Sequence, residues 1–288
     1  MAERALELSR KAAALLQERG FEQARLEAEL LLAAALGIDR LQLYLQHDRP
    51  VAAAELEIFR ASVRRRLRHE PVQYILGETS FRTLRLGVDR RVLIPRPETE
   101  VLVGEVLRWA ERRGGGGAAL DLGTGSGAIA LSLAAEGGFD RVVASDVSAE
   151  ALAVAGANAQ RNALTDRVEL RCGALWDVVA PGERFRAIVS NPPYVGEAER
   201  ALLAPEVREW EPPGALFAGP DGMAVIEALI AGAVARLEAG GLLALEIGAT
   251  QAGATCAAVA RAAGLGRARV VPDLTGRDRI VLVEANAG

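Results

Sequence analysis

Two short segments of this 288-residue chain carry residue types suited to chemistry. The first is Asp121-Leu122-Gly123-Thr124-Gly125-Ser126-Gly127. Glycines at this spacing let the backbone turn tightly out of a strand and let a ligand lie against main-chain N–H groups at the start of the next helix. Asp146 stands about 20 residues beyond the first glycine, where a carboxylate ending the following strand can accept both hydroxyls of a ribose. The pair specifies an adenosine-type ligand without choosing it, because Gly125, Gly127 and Ala130 also satisfy a dinucleotide fingerprint. Asp121 tips the balance: an acid before the first glycine suits a cationic amino group better than a pyrophosphate, which favours the methionine end of S-adenosylmethionine.

The second segment is Asn191-Pro192-Pro193-Tyr194, delivered by the apolar run Phe185 to Ser190. Two prolines fix φ and remove backbone donors, so the loop is stiff and rich in carbonyl acceptors. The Asn191 side-chain oxygen and the Pro192 carbonyl are placed to accept both hydrogens of a planar primary amine or amide. Tyr194 is expected to stack on that planar group. An amide nitrogen is a poor nucleophile, so alignment toward an electrophilic methyl matters more than a strong base. No histidine occurs in this half of the chain, in keeping with such chemistry.

Positioning these residues requires a sheet. From Gly114 to Gly117, expected to be a flexible hinge, strands and helices alternate to the C-terminus. Strands are expected at Ala118 to Leu122, Arg141 to Ser145, Val168 to Arg171, Phe185 to Ser190, Gly241 to Ile247, Ala268 to Val271 and Arg279 to Glu284. Helices are expected at Ala128 to Ala135, Ala149 to Arg161, Gly222 to Leu237 and Gln251 to Ala263. Strict alternation is the sequence form of a parallel, doubly wound α/β sheet, whose strand ends bind ligands. Only a turn separates the last two strands, so that pair must be antiparallel. Upstream, apolar residues recur at helical spacing as far as about His69, with stops at Gly20 and Gly37, an N-cap at Asp39 and a further helix opened by Pro50. Between Tyr74 and Ile94 short alternating runs predict a hairpin, and Glu98 to Arg112 resumes a helix.

Composition narrows the class. Half the residues are hydrophobic and the net charge is −4, so a large core is available and general attraction to nucleic acid is not expected. The two cysteines, Cys172 and Cys256, lack metal-ligand spacing and are expected to be buried; His47 and His69 are expected on solvated helix faces. No metal site, membrane span or signal peptide is expected. The cations are nearly all arginine. Arg64, Arg65, Arg66 and Arg68 form a run that suits an acidic protein surface or ribosomal RNA, or simply a solvated face.

Further segments make the chain resemble the HemK/PrmC family: Pro71 to Gly77, Val92 to Glu100 with its Pro-Arg-Pro-Glu-Thr-Glu run, Glu211-Pro212, Gly219 to Gly222 and Gly276 to Arg279. The resemblance covers nearly the whole chain. It implies a class I, Rossmann-like methyltransferase with a seven-stranded, mostly parallel sheet and an N-terminal helical bundle. The implied reaction moves a methyl from S-adenosyl-L-methionine to the glutamine N5 of the Gly-Gly-Gln motif in class I peptide chain release factors, leaving S-adenosyl-L-homocysteine. By the same resemblance Gly123, Thr124, Gly125, Ser126 and Gly127 cradle the methionine part and Asp146 holds the ribose. Asn191, Pro192, Pro193 and Tyr194 bind the glutamine, with Asn191 also close to the methyl and Tyr194 beside it as the second catalytic residue. Trp176 is implied on the adenine side. Gly173-Ala174-Leu175 stand where the family commonly has an acid, leaving the adenine contacts open between Leu175 and Trp176. Arg96, Glu98 and Thr99 line the cofactor entrance or cap a helix.

The expected layout is a substrate-recognition bundle over 1–73, a hairpin connector over 74–95 and a methyltransferase domain over 96–288. A monomeric, cytoplasmic enzyme without stable nucleic-acid or membrane contacts follows. Two other classes use the same loops: a methyltransferase of exocyclic amines on adenine or guanine, and a nucleotide-binding reductase or scaffold. The acidic balance disfavours the first, and the rigid acceptor loop has no purpose in the second.

Overall fold

A computed structural model describes residues 4–287; Met1–Glu3 and Gly288, the ends of the expected outer domains, lie outside the described residues. The chain forms two compact units, one running through Gly77 and taking in Ala204–Trp210, the other comprising Glu78–Leu203 and the chain from Glu211 onward.

The first unit contains α1 (Ala5–Glu18), α2 (Ala24–Leu36), α3 (Arg40–Leu45), α4 (Ala53–Arg66) and α5 (Val72–Leu76). Ala5, Leu8, Ala12 and Leu16 of α1 recur every three or four residues and are all buried, which is what holds a short helix in place. Gly37 ends α2 at φ 64°, a conformation that favours glycine. Tyr74-Ile75-Leu76, expected in the hairpin, instead makes the helical turn α5. The N–H groups of Tyr74 and Ile75 reach the Pro71 carbonyl, and Gly77 at φ 76° stops the turn. Local bonding outweighs the β-type residues there.

The arginine run divides. The Arg66 side chain is buried: Nε and Nη2 donate to Glu27 at 2.8 and 3.0 Å, Nη2 also to Glu206 at 2.6 Å, and the guanidinium lies 4.2 Å from the centre of the Phe21 ring. Arg65 donates twice to Glu70. Arg64 and Arg68 are exposed. The His69 ring packs 5.2 Å from Phe21 and His47 is exposed, and both lie in turns rather than on helix faces.

The second unit opens with a hairpin, β1 (Glu78–Phe81) and β2 (Leu84–Gly87). Val92 to Ile94, expected to belong to it, is irregular although Val92 and Ile94 are buried. Then follow α6 (Pro97–Arg112), β3 (Ala118–Leu122), α7 (Ala128–Glu136), β4 (Arg141–Asp146), α8 (Ala149–Arg161), β5 (Val168–Cys172) and β6 (Phe185–Ser190). The remaining elements are α9 (Pro205–Trp210, part of the first unit), α10 (Ala224–Ala233), β7 (Leu237–Glu246), α11 (Ala252–Arg261), β8 (Arg269–Pro272) and β9 (Asp278–Glu284).

Seven strands form one sheet in the order β5-β4-β3-β6-β7-β9-β8, parallel except that β9 runs against both its neighbours. Strand alternation sorts the two faces. Ala119, Val142, Ala144 and Leu242 pack with α6, α7 and the hairpin; Leu120, Leu122, Val143 and Leu243 pack with α10 and α11. Each fully buried leucine contributes about 1.5–3 kcal/mol relative to an exposed one.

Three expectations change in detail. Gly114 to Gly117 is a tied turn and not a flexible hinge: the Gly116 N–H donates to the Gly138 carbonyl, the Gly117 N–H donates to Asp140, and a Cβ on Gly117 would come within 2.9 Å of Arg186. β7 starts at Leu237, paired with Phe185 across a register shift, so α10 stops at Ala233. Gly240 at φ 69° creates the irregularity within the strand that reads in sequence as its start. Cys172 is exposed and Cys256 half-buried. β5 lies at a sheet edge, which leaves Cys172 uncovered.

Candidate active site

The parallel strand order reverses between β3 and β6, and ligands of open α/β sheets bind at the carboxyl ends of strands beside such a reversal. A cavity of about 680 Å³ lies there, bordered by Leu122 and Gly123 at the end of β3, Ser145 and Asp146 of β4, and Ser190 and Asn191 at the end of β6. That volume suits a cofactor-sized ligand.

Gly123, Thr124, Gly125 and Ser126 form one wall. A Cβ built on Gly125, at φ 55°, would meet nothing within 4 Å, so this glycine leaves open space beside the backbone. Gly127 stands behind the wall at φ 84°, where a Cβ would lie 3.1 Å from Leu131 and 3.3 Å from Ala155. The loop is tied to β4: the N–H groups of Gly123 and Thr124 donate to the Ser145 carbonyl, and the Gly125 N–H donates to Asp146 Oδ2 at 2.9 Å. Asp146 lines the cavity and also accepts the Ser148 N–H at 2.9 Å, which aims its carboxylate while leaving lone pairs for hydroxyl donors.

Asp121 is fully buried behind the loop. Its Oδ2 accepts from Thr124 Oγ1 at 2.6 Å and from the Ala130 N–H at 3.1 Å, while Oδ1 has no protein partner. Burial pushes this carboxyl up to about 7; the two hydrogen bonds oppose the shift and the charge of Asp146 adds to it. Asp121 is not among the residues that border the cavity; the open backbone at Gly125 and the aimed Asp146 carboxylate fit an adenosine-bearing cofactor such as S-adenosylmethionine.

The opposite wall departs from the sequence expectation. Gly173, Ala174 and Leu175 line the cavity, Leu175 at φ 44°, whereas Trp176 does not. Trp176 packs into the core beneath α10 and donates its indole N–H to the Ala228 carbonyl at 2.9 Å, with Arg236 stacked 4.8 Å from its ring. Trp176 is partly buried against the core, and Leu175 takes the place on the cavity wall.

Asn191, Pro192 and Pro193 line the third wall. Tyr194 does not. Its hydroxyl donates to Glu246 Oε1 at 3.4 Å, and burial, reinforced by the charge of Glu246, raises its proton affinity and keeps it neutral. The Asn191 Nδ2 group donates to Thr99 Oγ1 at 3.1 Å, and Thr99 donates to Glu246 Oε2 at 2.7 Å. Thr99 borders the cavity; Arg96 and Glu98 do not. Arg96 instead pairs with buried Glu211 at 2.6 Å, beside wall residue Pro212.

Sequence reasoning missed part of the wall: Arg90, Arg91, Leu93 and Pro95 after the hairpin, and Pro212, Gly214 and Phe217 beyond the Asn-Pro-Pro-Tyr loop. It also missed Glu246. A signal was present, since Glu246 is the lone acid in the apolar run Leu242 to Ile247. Among the described residues no cluster of three or more His, Cys, Asp or Glu could hold a metal, and no helix is long and apolar enough to cross a membrane.

Residues 7–77 match the family described as PrmC N-terminal domain, and residues 99–207 match the methyltransferase small domain. The chain is 44% identical over 278 residues to a release factor glutamine methyltransferase of Cereibacter sphaeroides, spanning 96% of this chain and 97% of the relative. It is 43% identical over 266 residues to the protein of the same name in Geobacter sulfurreducens, spanning 92% and 91%. Among solved structures, a methyltransferase from Pyrococcus furiosus is similar at TM-score 0.54 and 22% identity, covering 72% of this chain and 90% of that one. A 16S rRNA N2 G1207 methyltransferase of T. thermophilus in complex with AdoMet and guanosine is similar at TM-score 0.53 and 18% identity, covering 73% and 50%. Both likenesses concern the fold alone.

Proposed function

The chain belongs to the release factor glutamine methyltransferases, and from that premise we propose how its residues hold the cofactor and the glutamine of the Gly-Gly-Gln motif in class I release factors. Gly123 to Ser126 would hold the methionine part of S-adenosylmethionine, Asp146 its ribose, and the apolar wall at Leu175 its adenine. Gly127 supports the loop from behind. When bound, the cofactor supplies an electrophilic methyl on a sulfonium centre.

The protein's part is orientation. Asn191 Oδ1 and the Pro192 carbonyl accept the two hydrogens of the glutamine amide, which polarises the NH2 group and presents its nitrogen to the methyl position. Alignment of this kind supplies roughly 7–11 kcal/mol in favourable cases, enough to compensate for a delocalised lone pair. Tyr194 acts from behind the loop through its hydroxyl, and the stacking role expected from sequence is not retained. The single observation that carries the reading is the shared cavity: the glycine loop, Asp146 and Asn191-Pro192-Pro193 border one volume. The helical unit is assigned to recognition of the release factor, and the enzyme to the cytoplasm, as a monomer acting in translation termination.

Incubation with labelled S-adenosylmethionine tests the substrate. Label is expected in wild-type release factor and in neither a Gln→Ala version of its Gly-Gly-Gln motif nor bare RNA or DNA. Label in nucleic acid, or in the altered factor at the wild-type level, contradicts the assignment.

A further inference from the structure

A carboxamide can present either its oxygen or its NH2 to a ligand, and the residue type alone does not decide which. Behind Asn191 stands a chain of three buried or half-buried groups. Asn191 Nδ2 is 3.1 Å from Thr99 Oγ1, Thr99 Oγ1 is 2.7 Å from Glu246 Oε2, and the Tyr194 hydroxyl is 3.4 Å from Glu246 Oε1. Thr99 and Glu246 are only 3% and 1% exposed. They come from α6 and β7, while Asn191 and Tyr194 come from the loop after β6, so α6 and that loop meet at the carboxylate that ends β7.

We propose that Glu246 is a positioning residue that fixes the orientation of the Asn191 carboxamide through Thr99, an inference that rests on the reading of Asn191 as the clamp for the glutamine amide. An ionised carboxylate only accepts hydrogen bonds, and a threonine hydroxyl has one proton to give. That proton goes to Glu246, so Thr99 offers Asn191 only lone pairs. The Asn191 NH2 must then face Thr99, which leaves Oδ1 as the group offered to the substrate. The opposite orientation would set the carboxamide oxygen against those lone pairs and turn the Asn191 NH2 toward the substrate NH2.

Protonation of Glu246 removes this polarity. The acid donates to Thr99, the Thr99 proton is released to Asn191 Oδ1, and the carboxamide turns its NH2 toward the substrate. The groups facing Glu246 are Thr99 and Glu98 of α6, Tyr194 of the loop and Arg279 of β9. Burial dominates and pushes the carboxyl up to about 7, against the Thr99 hydrogen bond and the charge of Arg279, with the charge of Glu98 adding to the rise and the Tyr194 hydrogen bond opposing it. The ionised form is the productive one, so turnover falls as pH drops through about 7.

The test measures kcat and KM for release factor from about pH 5.5 to 9, with the cofactor Kd, for wild type, Glu246→Gln, Thr99→Val and Thr99→Ser. Wild type is expected to lose kcat on the acid side with a midpoint near 7. Glu246→Gln, which can still turn a carbonyl oxygen to Thr99, is expected to lose that acid limb while keeping turnover within about tenfold of wild type. Thr99→Val is expected to lower kcat about tenfold or more with little change in cofactor Kd, and Thr99→Ser to restore it. At saturating cofactor, where a change in cofactor binding does not limit kcat, an acid limb that survives unchanged in Glu246→Gln, or a folded Thr99→Val enzyme with wild-type kcat, overturns the proposal. If Thr99→Val does not fold, the pH profile of Glu246→Gln decides alone. Wild type that methylates no release factor overturns instead the substrate assignment on which the inference rests.

Discussion

The proposed amide clamp places its largest single burden at the residue scale on Asn191. Asn191→Ala removes one acceptor of the amide clamp without touching the glycine loop or Asp146. We expect kcat to fall by about 10²-fold or more, the range for losing one aligned polar contact in a transition state, while cofactor affinity measured by calorimetry changes little. Wild-type turnover in that variant would refute the clamp. Gly127 illustrates a different constraint. At φ 84°, with Leu131 3.1 Å from the position a Cβ would take, Gly127→Ala is expected to cost about 1–3 kcal/mol of stability, seen as a lower urea midpoint. That Gly123 to Ser126, Asp146 and Asn191 to Pro193 border one cavity is legible in the sequence because each sits at a strand end set by local spacing. The place of Trp176 is not. Whether an aromatic side chain enters a cavity or a core depends on its backbone direction, and at Leu175 φ is 44°, a turn that residue type does not announce.

At the scale of elements, the sequence reveals what periodicity encodes: the alternating strands, the helices between them and the antiparallel last pair. It does not reveal contacts made across long sequence separations. Arg66 reads as one of a basic run, yet Glu206, 140 positions away, completes its ion pairs inside the helical unit. No periodic signal links those residues. Arg66→Met is expected to destabilise that unit by about 2 kcal/mol, less than the 3–5 kcal/mol of a fully buried pair because the Glu206 side chain is 40% exposed. A lowered melting temperature, with unchanged kcat per folded molecule, is the expected result; an unchanged melting curve would show that the network contributes nothing net. The segment after β2 escapes a periodicity argument for a related reason. Val92 and Ile94 are buried, but they pack as irregular chain beside the cavity, and alternation of apolar residues does not distinguish that from a strand.

Among the buried carboxyls of the described residues, Asp121 and Glu246 are each pushed up to about 7, mainly by burial. Their folded-state proton affinity exceeds that of the unfolded chain, so the native state binds more protons and stability falls as pH rises from the ordinary carboxylate range to about 7. Urea midpoints of the cofactor-free protein are expected to decline over that interval, and less steeply in Glu246→Gln; equal slopes would contradict the assignment of Glu246. The net charge of −4, distributed over a fold that also serves RNA methyltransferases, fits a protein substrate, although a fold alone does not choose one. The choice is decided most directly by fragment mass spectrometry of a class I release factor after incubation with the chain and S-adenosylmethionine. The account predicts a single methyl on the side-chain amide nitrogen of the Gly-Gly-Gln glutamine, absent when Asn191→Ala replaces the wild type. A methyl on any other residue, or an unmodified glutamine with active wild-type protein, would contradict it.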